Sequence, residues 1–443
     1  MKKIRFTARL VVSLLTRYKF IVALGFLLGI FFFFFIPKIA YFFPQRKQTE
    51  TIGLVGRFRV SEIPLEIQNL ISFGLTKLEP DGTPVPSIAY DWKVEEDGKI
   101  YTFFLKDNLY WHDGSKVSAS DINYNFQDVS IEISDSRTIR FHLKEPFSPF
   151  PEVVSRPVFK KGFIGVGLYK VKKIGRSGQF VETISLVSQD SKKPNLKFHF
   201  YPTEEAAKIG FKLGEVRKLQ DLSDVDEFSI WKNVKISPVL RQDRFVGIFL
   251  NTQNSYLSEK SFRQALAYAT EKTTSKERAY GPLSPLSWAY SEDVKAYNFD
   301  LENAKKLLNQ ARQNDKEKKE IVLKLLTVPS LLSEAEKIKN SWEKLGIMVE
   351  IGAFSELGED FDVLLAAQEI PRDPDQYSLW HSTQVGNITH FKSPRIDKLL
   401  EDGRRTINKE ERKKIYFDFQ RFLVEEVPVI FLYYPTTYEI SKK

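Results

Sequence analysis

The stretch LTKLEPDGTPVPSIAYDWKVEEDGKIYTFFLKDNLYWHDGSKVSASDINYNF, residues 75–126, decides how this chain is read. Residues 99–106 are rich in Tyr, Thr, Phe and Leu, the composition of a β-strand, with Asp97-Gly98 before them as a hairpin turn and Asp107-Asn108 behind. Asp113-Gly114 is a second turn pair. Ser118 or Ser120 is suited to cap a helix beginning near Asp121, because a serine oxygen accepts from the free amides of a first helical turn. The region thus reads as strand, turn and helix start around aromatic side chains, with Trp111 and His112 as fold-building residues.

Upstream, residues 20–36 carry no charge and contain the run Phe31-Phe32-Phe33-Phe34-Phe35, long enough to span a bilayer as a slightly short helix. Lys2, Lys3, Arg5, Arg9, Arg17 and Lys19 precede the span without any acid, which places the N-terminus in the cytoplasm and the bulk of the chain outside. A cleaved signal peptide needs a small-x-small site after a shorter apolar core, whereas Pro37, Lys38 and Ile39 follow here. With no cysteine, the chain offers neither a lipid-attachment residue nor a disulfide. An uncleaved, single-pass membrane anchor is the expectation.

Of the 66 Lys and Arg, nine lie in residues 1–47, which hold no Asp or Glu; 57 basic residues then face 57 acidic ones over residues 48–443. The net charge of +9 therefore sits at the anchor, and the outer part shows no basic stripe with stacking aromatics, so no nucleic acid is expected as a partner. The chain has no GxSxG elbow, no GxxxxGK[ST] loop and no cysteine nucleophile, and acidic pairs such as Glu95-Glu96 are sequence neighbours that rarely converge on one substrate. It reads as a non-enzyme without a cofactor.

Some 400 outer residues exceed one core and predict two lobes. From residue 261 onward helices and strands alternate. Ser261 with Gln264 forms a capping box ahead of Phe262, Ala265, Leu266 and Ala269 at helical spacing; Asp300 precedes Ala304, Leu307, Leu308 and Ala311; Ser333 with Glu336 opens a third helix ending at Gly346. Residues 347–351 and 361–366 read as strands.

The opening stretch resembles the signature region of the extracytoplasmic solute-binding proteins of peptide ABC importers, solute-binding family 5. Leu75-Thr76, Gly82, Pro84, Pro86, Ala89, Trp92, Asp97-Gly98-Lys99, Tyr101-Thr102-Phe103, Leu105-Lys106, Trp111-His112-Asp113-Gly114 and Asp121 carry the likeness. It continues through Gly165-Val166-Gly167-Leu168-Tyr169, Leu250-Asn251-Thr252, Phe262-Arg263-Gln264-Ala265-Leu266, Gly281-Pro282 with Trp288 and Tyr290, and Asp397, Arg412, Tyr416 and Gln420. It is weakest over residues 176–240. The resemblance implies an α/β, bilobal, periplasmic-binding-protein-like fold of the cluster C type with an extra subdomain in the first lobe, preceded here by one N-terminal transmembrane helix. Residues 1–47 would be cytoplasmic tail and anchor, 48–245 lobe one with the subdomain at about 67–162, 246–414 lobe two, and 415–443 the return to lobe one.

By the same resemblance the protein captures an extended peptide between its lobes and delivers it to the permease subunits of an ABC importer. The binding segment would be residues 366–387, AAQEIPRDPDQYSLWHSTQVGN. The family holds the peptide α-ammonium on an acid three positions before its Asp-Pro pair, which here is Ile370; treating Arg372 as an insertion brings Glu369 into register, with Asp373 and Asp375 as alternatives. Asp373 also reads as a turn cap. Tyr377, Trp380 and His381 line the cleft or belong to the lobe-two core, Arg372 meets a peptide carboxylate or faces water, and Asn387 completes the set. His381 and His390 keep a nickel or other small-solute ligand open, and a surface or sensory protein on the same fold is the remaining alternative.

Overall fold

The computed structural model describes residues 16–42, 47–273, 277–313, 320–353 and 360–443. The basic residues 2–9 of the expected tail lie outside them. Lys19–Phe42 is a helix of 24 residues, about 36 Å at 1.5 Å per residue, and exposes Phe20, Leu24, Phe26, Leu27, Phe33 and Phe34. No helix is long and apolar enough to cross a membrane among the described residues, which for this helix leave out the side chains at 22 and 35–42.

Residues 50–443 form one compact unit built on two large sheets. The first has seven strands in the order Val234–Leu240, Thr436–Lys442, Lys218–Leu222, Thr49–Val55, Asn195–Tyr201, Phe180–Ser188 and Tyr169–Ser177. The second has five, in the order Ile347–Ala353, Ile321–Thr327, Val363–Glu369, Arg244–Leu250 and Val429–Tyr433. Within it Ile321–Thr327 pairs in parallel with both neighbours. Ile321, Leu323, Leu325, Leu326 and Thr327 are buried while Val322 and Lys324 are exposed, so the strand is covered on one face at its start and on both faces at its end.

The covering helices bury the apolar stripes read from the sequence. Lys260–Ala269 buries Phe262, Ala265, Leu266 and Ala269, and Asp300 Oδ1 caps Leu301–Ala311 by accepting from Asn303 N at 2.9 Å. Two expected caps are not used. Lys260–Ala269 starts behind Glu259 without a side-chain cap, and Gln264 instead donates to Tyr297 Oη and Glu425 O. Leu332–Glu343 is entered directly from the 3-10 turn Pro329–Leu331, so Ser333 lies inside the helix rather than before it.

The opening stretch supplies two strands, Ala89–Glu95 and Ile100–Leu105, of a four-stranded antiparallel sheet completed by Thr138–Leu143 and Val129–Asp135. Its hairpin turns through Glu96, Asp97 and Gly98, all with positive φ. The helix expected near Asp121 is a single 3-10 turn, Ala119–Asp121. Asp121 Oδ2 accepts both from Ser118 N and from Trp111 Nε1 at 3.0 Å, and the chain turns extended at Ile122. His112 is fold-building as read: its N–H donates to Gly165 O at 2.9 Å and its Nε2 lies 2.8 Å from Gly167 O. Gly165 is required there, because a Cβ would come within 2.1 Å of Ile71 O.

The chain crosses from the first sheet to the second at residues 241–243 and returns at 434–435. The return therefore comes later than residue 415. Helix Lys409–Glu426 buries Tyr416, Phe419 and Leu423 in the second core, and Val429–Tyr433 is an edge strand of the second sheet.

Candidate functional site

The strand Val363–Glu369 delivers the candidate segment to the crossover. Glu369 pairs in register with Arg244, and the next amide, Ile370 N, donates to Asp243 O at 2.8 Å. An ion-pair cluster ties this corner: Arg241 reaches Asp221 at 2.9 Å and Asp243 at 2.6 Å, and Arg244 reaches Asp221 at 3.3 Å. Glu369 and Arg372 are exposed, and among the described residues no ion pair reaches either. Ile370 is buried and can hold no ammonium.

Beyond Arg372 the loop turns inward. Asp373 is 2 % exposed and forks onto Arg412, with Oδ2 to Nη1 2.8 Å and Oδ1 to Nη2 2.5 Å. Arg412 Nε donates to Gly403 O at 2.8 Å. Burial works against the guanidinium charge, but the Asp373 carboxylate overcompensates and raises its pKa. Asp375 accepts from Arg404 Nε at 2.9 Å, yet its burial outweighs that cation and pushes its carboxyl above the ordinary range. Both aspartates also cap their turns: Asp373 Oδ1 accepts from Asp375 N at 2.9 Å and Asp375 Oδ1 from Tyr377 N at 3.1 Å.

The aromatic residues form a stack rather than an open wall. Arg404 lies 3.9 Å over the Tyr377 ring, which stacks on His381 at 4.1 Å. Trp380 is buried in the second core against Phe249. Asn387, also buried, donates to Phe391 O at 2.7 Å and orders the following turn. Among the described residues no group of three His, Cys, Asp or Glu is placed to hold a metal ion. Of the eight candidate residues the fold leaves Glu369 and Arg372 open, half-buries Tyr377, and engages Asp373, Asp375, Trp380, His381 and Asn387 in its own bonds.

The two lobes meet beside this loop. Trp288 N donates to Asp81 O at 3.1 Å, Ser148 Oγ to Gly403 O at 3.0 Å, and Lys409 Nζ to Thr83 Oγ1 at 2.9 Å. Gly82, at φ +86°, lies so close to the loop that a Cβ would sit 2.1 Å from Arg372 O. The interface forms a partly open cavity of about 170 Å³ whose lining includes Trp92, Tyr101, Glu152, Trp288, Lys409 and Arg412. Reading the sequence missed Glu152 and Lys409 as site residues. No motif joins position 152 to position 373, and only the packing of the subdomain on lobe two brings them together.

Two lobes joined by paired crossovers, with a loop at the interlobe end of a central strand, define a two-lobed ligand-binding protein. Residues 83–389 match the family "Bacterial extracellular solute-binding proteins, family 5 Middle", and the chain belongs to that family. It is similar to the oligopeptide-binding protein AppA of Bacillus subtilis, 24% identical with 89% of this chain and 88% of that protein covered. Among solved structures it resembles NikZ from Campylobacter jejuni in complex with Ni(L-His), with a TM-score of 0.74, 25% identity, and 90% of this chain and 94% of that chain covered. AppA from Bacillus subtilis in complex with a nonapeptide gives a TM-score of 0.69 at 20% identity, covering 90% of this chain and 95% of that one.

Proposed function

We propose that this chain is the substrate-binding protein of a peptide ABC importer, held at the membrane by the helix Lys19–Phe42 and capturing peptides between its lobes for a permease. Family membership and the likeness to an oligopeptide-binding protein over nearly the whole chain support the ligand class. The carrying observation is the state of Glu369: an exposed carboxylate at the crossover, next to two aspartates already matched by arginines. A peptide α-ammonium enclosed by lobe closure needs such an anion, since a buried cation without a partner is strongly disfavoured. Arg372, equally open, suits the peptide carboxylate through a bidentate fork. The anchor reading rests on the uncharged run at 20–36, the basic residues before it and the exposed apolar side chains of the helix.

Calorimetry of the full chain in mild detergent against a mixed short-peptide library, paired with small-angle scattering, tests capture. Affinities near micromolar, about −8 kcal/mol, together with a more compact bound form are expected. No heat with any peptide would turn the reading toward a surface protein without transport. N-terminal sequencing of the membrane-extracted protein tests the anchor, and a mature start near residue 40 to 50 would refute it.

A further inference from the structure

Glu369 does not line the interlobe cavity, which has its own chemistry. Three rings wall it, and two of those residues are fixed by the fold: Tyr101 Oη donates to Phe147 O at 3.0 Å, and Trp288 N to Asp81 O at 3.1 Å. Asp373 and Arg412 also face it, but they neutralise one another. What remains is one charge from each side. The subdomain contributes Glu152, partly buried and reached by no ion pair among the described residues. Lobe two contributes Lys409, exposed, hydrogen-bonded to the Thr83 hydroxyl and 5.1 Å over the Trp288 ring, with no ion pair among the described residues.

A cavity near 150 Å³ holds a molecule the size of benzene, so about 170 Å³ has room for a compact apolar side chain and its polar ends. We propose that this cavity, walled in part by Asp373 but not reached by Glu369, is a second ligand site, which takes a free amino acid with an apolar side chain, its ammonium on Glu152 and its carboxylate on Lys409. Such a ligand bridges the two lobes and holds them together, and charge complementarity at both ends selects a zwitterion over an amine or an acid.

Protonation gives the site a signature. Burial and the charges of Asp373 and Asp375 push Glu152 up to about 7, against the opposing Asp373 N–H and Arg412; Tyr101 and Lys409 are the other titratable groups around the cavity. An arriving ammonium favours the ionised carboxylate, so binding releases a proton at pH 6.5 and almost none at pH 8.5.

The test is calorimetry of the full chain with L-leucine, N-acetyl-L-leucine and L-leucinamide, at both pH values and in buffers of different ionisation heat. Leucine should bind, and each blocked analogue should bind about 30-fold more weakly. Glu152→Gln should weaken leucine by a similar factor, abolish proton release and add little to the loss caused by acetylation. Lys409→Met, at an exposed position that does not endanger folding, should weaken leucine but not leucinamide. Glu369→Gln should leave leucine binding unchanged. Peptide binding without leucine binding would overturn this proposal and leave the transport reading standing. Leucine binding lost in Glu369→Gln, or retained in both Glu152→Gln and Lys409→Met, would also overturn it. Binding of leucine without any peptide would instead remove the transport reading.

Discussion

Glu369 and Asp373 lie four residues apart on one acidic loop, and the fold treats them in opposite ways. Asp373 is buried, gripped by both guanidinium nitrogens of Arg412 and spent on a turn amide; Glu369 stands exposed at a crossover strand. The difference teaches that an acidic motif in a binding loop does not mark its ligand-binding members by itself. Asp373 and Asp375 hold the loop's shape, while Glu369 and Arg372 stay exposed at its rim.

The largest effect that would break this comparison is at Arg412. Arg412→Ala strands Asp373 without its partner in a buried site, and losing one member of a buried ion pair costs about 3 to 5 kcal/mol. Denaturant unfolding should show that loss, and a loss below about 1 kcal/mol would mean that Asp373 is not the structural member of the pair. A smaller effect is expected at Glu152. Burial pushes its carboxyl up to about 7, above the ordinary value, so its ionisation opposes the folded state. The favourable balance is complete below the ordinary carboxylate range and is lost as pH rises through about 7. Glu152→Gln should therefore stabilise the protein above pH 7 by up to about 2 kcal/mol, after allowance for partial exposure, and change little at pH 4. Equal effects at both pH values would contradict this. The smallest effect belongs to the rim: Arg372→Ala should alter unfolding stability by no more than about 0.5 kcal/mol, because the side chain is exposed and engaged in no ion pair among the described residues.

Much of the fold was legible because its signals are local. The Asp97-Gly98 turn, the Asp300 cap and the stripe of Phe262, Ala265, Leu266 and Ala269 each depend on neighbours within a few residues, and each appears in the structure. Where the reading failed, a non-local contact decided. Trp111 shares Asp121 with Ser118, and the expected helix stops after one turn; the residues after 415 stay with lobe two because Tyr416, Phe419 and Leu423 complete its core. The candidate site was legible as a segment but not by residue. Position alone does not separate Asp373 from Glu369; the arginine that does so is 39 residues further on, and Glu152 meets the loop only through lobe contact.

The proposed capture of a peptide turns on Glu369, and a cycle of two deletions tests it. A short peptide and its N-acetylated form are titrated calorimetrically into the full chain and into Glu369→Gln. Removing either the ammonium or its carboxylate should cost roughly 2 to 5 kcal/mol, about 30-fold or more in affinity. The two together should cost little more than one, because both delete the same interaction. If acetylation weakens binding while Glu369→Gln does not, the ammonium is held elsewhere and the exposed rim carboxylate is not the ligand-binding member of the loop.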